Sequence, residues 1–201
     1  MREITVGVVA PAYVNVPLWV AQQRGFLERR GLRATERICG TTHGVTGALR
    51  DGAVDIALTA PEGSIADAVA GGPLRVVAGL IDRPPLSMIA IPQEFALNAA
   101  CVLISAERGT VTAFLQALAE AAGWFRGHVE ESAAIAAERT SIEPRYALRA
   151  CHALALDGVI PRDLRSSPAA LAAVTGALRS SGLIPPDGPD PITAAVDYSY
   201  L

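Results

Sequence analysis

The sequence is poor in aromatic residues and carries no excess of positive charge. Aromatic side chains make up 5% of its 201 residues, and the formal net charge is -3. Nucleic-acid-binding surfaces are usually basic, and many use aromatic rings for base stacking. We therefore expect no nucleic-acid partner. A small molecule or another protein is the favoured partner.

Cysteine is also scarce. The three cysteines, Cys39, Cys101 and Cys151, have neither the number nor the spacing of a disulfide framework or a zinc site. No HExxH, HxH or Cys/His cluster occurs, so no metal site is predicted. Free cysteines usually behave as small apolar side chains, and we expect these three to be buried.

Long apolar runs are missing as well. Glycine, proline or a charged residue interrupts each of them, so no membrane-spanning segment is predicted. The chain passes from Met1-Arg2-Glu3 directly into an apolar strand, without the basic and apolar regions of a signal peptide. Taken as written, this beginning predicts a cytoplasmic protein.

The common catalytic and cofactor-binding signatures are absent too. The chain has no GxSxG, no GxxxxGK[ST], and no GxGxxG following a strand. The sequence therefore predicts no cofactor and does not favour an enzyme.

What the sequence does contain is a regular alternation of strands and helices over its first 91 residues. Short apolar, β-branched runs predict five strands: Ile4–Val9, Arg33–Cys39, Asp55–Ala60, Leu74–Ile81 and Leu86–Ile91. Segments with helical periodicity lie between the first four. This alternation is typical of a parallel sheet with right-handed crossovers.

The pattern changes after Pro92. One more strand is predicted at Cys101–Ser105, and the rest of the chain is mostly helical. The predicted helices are Val111–Arg126, Ser132–Thr140, Glu143–Asp157 and Pro168–Ser180. The fold class is therefore α/β, with a mostly parallel sheet of five to six strands, flanking helices and a helical C-terminal half.

Polar residues follow four of the predicted strands. Ligands of open α/β sheets bind outside the carboxyl ends of the strands, so these residues form the predicted ligand-binding set. The set is Tyr13, Asn15, Thr41, Thr42, His43, Thr59, Glu62 and Arg83.

Each member of this set also has a structural explanation. Thr41 or Thr42 at a helix start can bind an anion through the free N–H groups there, or can simply cap the helix. Glu62 would favour an amine or a pyrimidine N–H and repel nitrate or sulfonate. Its charge is also favourable at a helix start without any ligand. Arg83 can pair with an anionic ligand or with neighbouring Asp82 on the surface.

Several stretches resemble the NMT1/THI5-like, SsuA-like group of ABC-transporter substrate-binding proteins. They are PLWVAQQRGFLERRGL, GALRDGAVDIALTAPEGSIA, GGPLRVVAGLIDRPPLSMIA and, less specifically, TVTAFLQALAEAAGWF. The resemblance implies the type II periplasmic-binding-protein fold and a small organic or anionic solute of the sulfonate, nitrate or pyrimidine class. It also implies an ABC-transporter permease as partner, and export to the periplasm.

The chain departs from that group in one respect. Members of the group have two α/β lobes, whereas here SMIAIPQEF leads almost directly into ACVLISAERG, without most of a second lobe. We expect residues 1–95 to form the core of the first lobe, and residues 96–201 to add a return strand and helices to the same lobe. A first lobe whose partly apolar surface is not covered by a second lobe also suggests a homodimer.

The sequence leaves three alternative functions open. The first is a solute-binding module for ABC-type uptake. The second is a cofactor-precursor enzyme, similar to thiamine-pyrimidine synthases, with His43 and Glu62 as its acid–base pair. The third is a vestigial single lobe that needs a partner. The resemblance implies the periplasm and the beginning of the chain implies the cytoplasm, so the location stays open.

Overall fold

The described strands form one five-stranded sheet. The structure is a computed structural model that describes residues 1–82, 95–156, 159–188 and 190–201. The strands are β1 (Arg2–Val8), β2 (Leu32–Ile38), β3 (Ile56–Thr59), β4 (Leu74–Ile81) and β5 (Phe95–Ala100). Their order is β2-β1-β3-β5-β4. β1 pairs in parallel with β2 and β3, whereas β5 runs antiparallel between β3 and β4. The predicted α/β class is confirmed, and the sheet is mixed: four of its five strands run in one direction, and β5 runs in the other.

Helices cover both faces of the sheet and make up most of the second half of the described chain. They are α1 (Val16–Gln23), α2 (Thr42–Arg50), α3 (Glu62–Val69), α4 (Cys101–Ala106), α5 (Arg108–Gly127), α6 (Val129–Thr140), α7 (Pro144–Leu154), α8 (Pro168–Ser180) and α9 (Pro191–Ala195). Single 3-10 turns lie at Tyr13–Asn15 and Glu28–Arg30.

The side-chain alternation of β1 explains how the two faces are filled. Val6 and Val8 point into the main apolar core, which is shared with α1, α5 and α6. Gly7, between them, faces the opposite side, where a β-carbon would stand 3.1 Å from Val54 and 3.2 Å from Val45. The sheet is therefore apolar on both faces, as expected for strands covered by helices on each side.

One strand prediction is wrong. Cys101–Ser105 lies within helix α4, and the strand is the preceding segment, β5. β5 fits between β3 and β4, where its backbone groups pair on both sides. The N–H of Cys101 donates to the carbonyl of Pro73, and the helix begins there. The strand predicted at Leu86–Ile91 lies outside the described residues.

Helix α1 is also shorter than the sequence predicts, since the segment that begins at Pro17 has a helical pattern that stops near Gly31. The pattern continues to Gly31, but α1 ends at Gln23. Gly25 has a φ of 71° and Gly31 a φ of 72°, and a 3-10 turn lies between them before β2 begins. Both angles are in the left-handed region that glycine adopts without steric cost, so the two glycines end the helical path.

Loops from the second half cover the outer edge of β4. The N–H of Gly79 donates to the carbonyl of Leu164 at 2.7 Å, and that of Asp82 donates to the carbonyl of Val159 at 2.8 Å. The C-terminal segment adds a bond from Asp197 to Val76 at 2.8 Å. Edge strands with free backbone groups invite pairing with other chains, and these contacts protect β4.

None of the helices within the described ranges has both the length and the apolar character that crossing a membrane requires.

Candidate ligand-binding site

The carboxyl ends of β1, β2 and β3 meet at one edge of the sheet, which we call the carboxyl edge. Val8 is in register with Ile38 on one side and with Leu58 on the other. The pairing continues beyond the strands, because the N–H of Gly40 donates to the carbonyl of Val9 at 3.0 Å. The three loops that follow these strands therefore begin at the same level.

The loop after β2 carries Thr41, Thr42 and His43 into the first turn of α2. Thr41 is the N-cap, and its hydroxyl oxygen accepts a hydrogen bond from the N–H of Gly44 at 3.0 Å. The capping explanation therefore holds for Thr41. Thr42 and His43 are exposed in the same turn. The free N–H groups and the dipole of α2 make this turn electropositive.

The loop after β3 places Glu62 at the first position of α3. One oxygen of its carboxylate, Oε2, is buried without a hydrogen-bond partner among the described residues. This burial raises the pKa of Glu62, and a contact with its own backbone amide has a smaller, opposite effect. A buried carboxylate oxygen without a partner calls for an explanation, and a donor from a bound molecule is one.

Two further unpartnered oxygens lie close to Glu62 along the chain. Thr59, at the end of β3, and Ser64, in α3, are both buried. Neither hydroxyl oxygen has a partner within the part of the chain that the structure describes. These three residues are neighbours along the chain, and we call Thr59, Glu62 and Ser64 the β3–α3 cluster for that reason alone. Ser64 was not among the predicted site residues, and its only sequence signal is its position two residues after Glu62.

Helices α2 and α3 pack closely where the first turn of α3 meets α2. A β-carbon on Gly63 would stand 2.7 Å from Oγ1 of Thr46 and 2.9 Å from its methyl group. Thr46 in turn donates its hydroxyl hydrogen to the carbonyl of Thr42 at 3.0 Å. The absence of a side chain at Gly63 thus brings the starts of the two helices together at the carboxyl edge.

The loop after β1 is organised differently. Asn15 is 1% exposed, and its Nδ2 donates to the carbonyl of Ala10 at 3.0 Å. Its amide nitrogen therefore holds the loop in shape. Tyr13 packs against the main apolar core, a different cluster from the one beneath α2. Its hydroxyl is buried and has no partner among the residues described. A ligand contact for either residue stays a prediction.

Arg83, the last predicted site residue, lies outside the described residues. Of the predicted residues, Thr41, Thr42 and His43 thus lie at the start of α2, Glu62 lies at the start of α3, and Thr59 ends β3.

Asn98 is a buried polar residue that the sequence reasoning missed. It is fully buried in β5, where its Nδ2 donates to the carbonyls of Ala96 at 3.2 Å and Ala57 at 3.4 Å. Its Oδ1 has no partner within the described ranges. The signal was a single polar residue in the apolar run FALNAA, but the strand was predicted to start after it.

No group of three or more His, Cys, Asp or Glu residues that could hold a metal ion occurs among the described residues. The groups around the starts of α2 and α3 are hydroxyls, backbone N–H groups, one imidazole and one carboxylate. These groups suit hydrogen bonding to a small polar molecule.

Comparison with known proteins connects this architecture to a family and a fold. Residues 14–94 match the model of the family described as NMT1/THI5 like. The matched segment runs from the loop after β1 to the residue before β5, and so includes α2, α3 and the β3–α3 cluster. No curated protein matches the sequence.

Solved structures share the fold at low sequence identity. A Candida albicans gene product described as having the generic periplasmic binding protein fold aligns with a TM-score of 0.75 and 12% identity, covering 98% of this chain and 97% of that chain. The alkanesulfonate-binding protein SsuA from Xanthomonas axonopodis pv. citri, bound to MOPS, aligns with a TM-score of 0.71 and 12% identity, covering 98% of both chains.

A third structure is the ligand-binding component of an ABC-type import system from Staphylococcus aureus. It aligns with a TM-score of 0.74 and 12% identity, covering 100% of this chain and 98% of that chain. The resemblance expected from the sequence is thus confirmed: residues 14–94 carry the NMT1/THI5-like pattern, and the chain has the periplasmic-binding-protein fold.

Proposed function

We propose that this protein is a solute-binding module that holds a small organic solute at the carboxyl edge, against the first turns of α2 and α3. The observation that carries the proposal is the β3–α3 cluster, where Thr59, Glu62 and Ser64 each leave a buried oxygen without a partner among the described residues.

Buried polar groups in folded proteins are nearly always hydrogen-bonded, because an unpaired one loses its contacts with water and gains nothing in return. Three such oxygens within residues 59–64 are therefore a concentrated cost. A bound solute that donates hydrogen bonds to these oxygens would offset part of this cost. Binding would also explain why the unpaired oxygens are buried.

The charges at the site select the class of solute. Glu62 offers a carboxylate and therefore favours an N–H donor. The start of α2 offers backbone N–H groups and therefore favours an acceptor. A solute with both, such as an aminopyrimidine, fits better than nitrate or a simple sulfonate, which Glu62 would repel.

The transport setting is part of the same proposal. The structural neighbours include a ligand-binding component of an ABC-type import system and an alkanesulfonate-binding protein. By analogy, we infer that the solute is passed to an ABC-transporter permease. The homodimer suggested by the sequence would place a second copy of the chain over the carboxyl edge. Light scattering with and without solute measures the molar mass and so tests whether the chain forms a dimer.

The test is a calorimetric and thermal-shift screen of the whole chain. The compounds are aminopyrimidines, taurine, alkanesulfonates, aromatic carboxylates and nitrate. We expect a saturable shift with an amine-bearing compound, since a ligand that binds only the native state raises the melting temperature. We expect Glu62→Gln to remove that shift.

Glu130→Gln is the matched control, because Glu130 also lies in the first turn of a helix but is exposed. It should leave solute binding unchanged. A folded protein that responds to none of these compounds would contradict the proposal and favour the vestigial single lobe.

A second candidate is the cofactor-precursor enzyme. The observation in its favour is the burial of Glu62, which raises the pKa of its carboxyl, the direction that a general acid requires. This candidate predicts product formation from a pyrimidine precursor, and its loss in His43→Ala without loss of folding. Binding without turnover would contradict this candidate, and only the solute-binding proposal would remain.

A further inference from the structure

A groove of about 480 Å³ lies between α8 and α9. None of its residues belongs to the predicted ligand-binding set. They are Pro168, Leu171, Ala172, Thr175, Gly176, Arg179, Asp190 and Ile192. The α8 members recur every three or four positions and so share one face of the helix. At about 1.5 Å per residue, Arg179 lies roughly 16 Å along α8 from Pro168, at the far end of the groove.

Thr175 lines the groove with a hydroxyl that has no partner. It is 7% exposed, and its Oγ1 makes no hydrogen bond to any described residue. A helical threonine commonly donates to the carbonyl four residues earlier. Thr46 and Thr140 do so in this chain, at 3.0 Å and 2.7 Å. Thr175 lacks this bond, so its hydroxyl is available to a ligand.

Arg179 is the cationic group of the groove. Its Nε is buried, and it has no hydrogen-bond partner among the described residues. Asp190 lines the same groove, where its Oδ1 accepts the N–H of Ile192 at 3.1 Å and caps α9. No ion pair joins Asp190 to Arg179 among the described residues. An unpaired, partly buried guanidinium attracts a carboxylate, which it can bind through two parallel N–H bonds.

The remaining surface of the groove is apolar. Leu171, Ala172 and Ile192 contribute hydrocarbon, and Gly176 leaves free space where nothing lies within 4 Å of an added β-carbon. An apolar chain of a few carbon atoms could lie there with its carboxylate directed to Arg179. The nearby Asp190 disfavours anions of higher charge.

We propose that this groove is a second ligand site, which binds a small monocarboxylate with a short aliphatic chain. Arg179 and Thr175 hold the carboxylate, and the apolar face of α8 with Ile192 holds the chain. This inference does not depend on the solute proposed for the carboxyl edge.

The experiment uses hexanoate as the probe and the whole chain as the protein. Binding is followed by calorimetry and by amide chemical shifts, with hexanol and acetate compared under the same conditions. We expect saturable binding of hexanoate with shifts centred on α8 and α9, and weaker binding of hexanol, which lacks the charge, and of acetate, which lacks the chain.

Three variants locate the site. Arg179→Gln should weaken hexanoate binding about tenfold or more, as expected for losing hydrogen bonds to a charged group. Thr175→Val should weaken it by a smaller factor. Gly176→Leu should abolish binding by filling the groove, and it should fold well because leucine is a better helix former than glycine.

Arg145→Gln is the matched control, because Arg145 is exposed and paired with Glu143 at 2.9 Å. It should bind hexanoate as the unmodified chain does, and so should Glu62→Gln. Equal binding of hexanoate and hexanol, no saturable binding, or full binding by folded Gly176→Leu would each overturn the proposal.

Discussion

Gly63 lies so close to Thr46 that a β-carbon on Gly63 would stand 2.7 Å from the hydroxyl oxygen of Thr46. Gly63 follows Glu62 in the first turn of α3, and Thr46 bonds back to Thr42 in the first turn of α2. The two helix starts can approach each other only because position 63 has no side chain. This contact brings the start of α2 near the start of α3, where one carboxylate oxygen of Glu62 is buried.

Substituting alanine for Gly63 should therefore destabilise the protein. We expect the free energy of unfolding to fall by about 1–3 kcal/mol, the usual range for overpacking a close contact. The sign is informative, because alanine normally stabilises a helix relative to glycine. Urea unfolding measures the change.

Gly47→Ala is the control for that experiment. Gly47 lies in α2, where nothing is within 4 Å of an added β-carbon. We expect it to stabilise the protein by about 0.5–1 kcal/mol. If both substitutions stabilise the protein, the close packing of α2 on α3 is not as the structure has it.

The raised pKa of Glu62 predicts a pH dependence of stability. The native state holds the Glu62 proton more tightly than the unfolded chain, where the pKa is near its ordinary value of 4.5. As the pH rises from about 4.5 through the higher pKa of the native state, the unfolded chain releases its proton first. Glu62 therefore lowers the stability progressively over that interval.

The measurement is urea unfolding of the unmodified chain and of Glu62→Gln between pH 4 and pH 8. Glu62→Gln lacks this loss of stability. Its free energy of unfolding, relative to that of the unmodified chain, should therefore increase with pH and then level off. Glu130→Gln should show no comparable trend, since Glu130 is exposed. A difference that is constant with pH would show that the Glu62 carboxyl is not shielded from water.

Burial raises the pKa of the Cys151 thiol to about 11. Since the thiolate is the reactive form, Cys151 should resist thiol reagents at pH 8 in the native protein. Cys39 and Cys101 are only partly buried and should react. Titration with a chromogenic disulfide should count two thiols in the native protein and three in urea. Cys151→Ala should leave the native count at two.

The close contact of β4 with the loop before α8 gives a further prediction. A β-carbon on Gly79 would stand 2.6 Å from the backbone nitrogen of Ser166. Gly79→Ala should lower the free energy of unfolding by about 1–3 kcal/mol or more, because a backbone atom cannot move aside as a side chain can. Gly123→Ala in α5, where the space is open, should be neutral or stabilising in the same assay.

Features that depend on interactions between residues close in the chain could be predicted from the sequence alone. The apolar, β-branched runs predicted β1 to β4 to within one or two residues, because side-chain alternation and turn residues are properties of short segments. Thr41 could be recognised as a cap for the same reason, since the bond reaches only to Gly44.

The position of β5 depended on distant partners. Apart from Asn98, the run from Ala96 to Ile104 is apolar. Periodicity does not locate the end of a strand inside such a run. Pairing with β3 and β4 does, because those strands offer backbone partners only to residues 95–100. The same pairing buries Asn98, which nothing in its immediate neighbours predicts.

The amino-acid sequence by itself therefore determined the order of the βα units, the caps and the edge of the sheet where polar residues gather. These features rest on contacts within a few residues. Only the tertiary structure decided which polar atoms lose water without gaining a partner, as Glu62, Thr59 and Thr175 do among the described residues. Burial depends on the approach of segments that are far apart in the chain, as Gly63 on Thr46 shows.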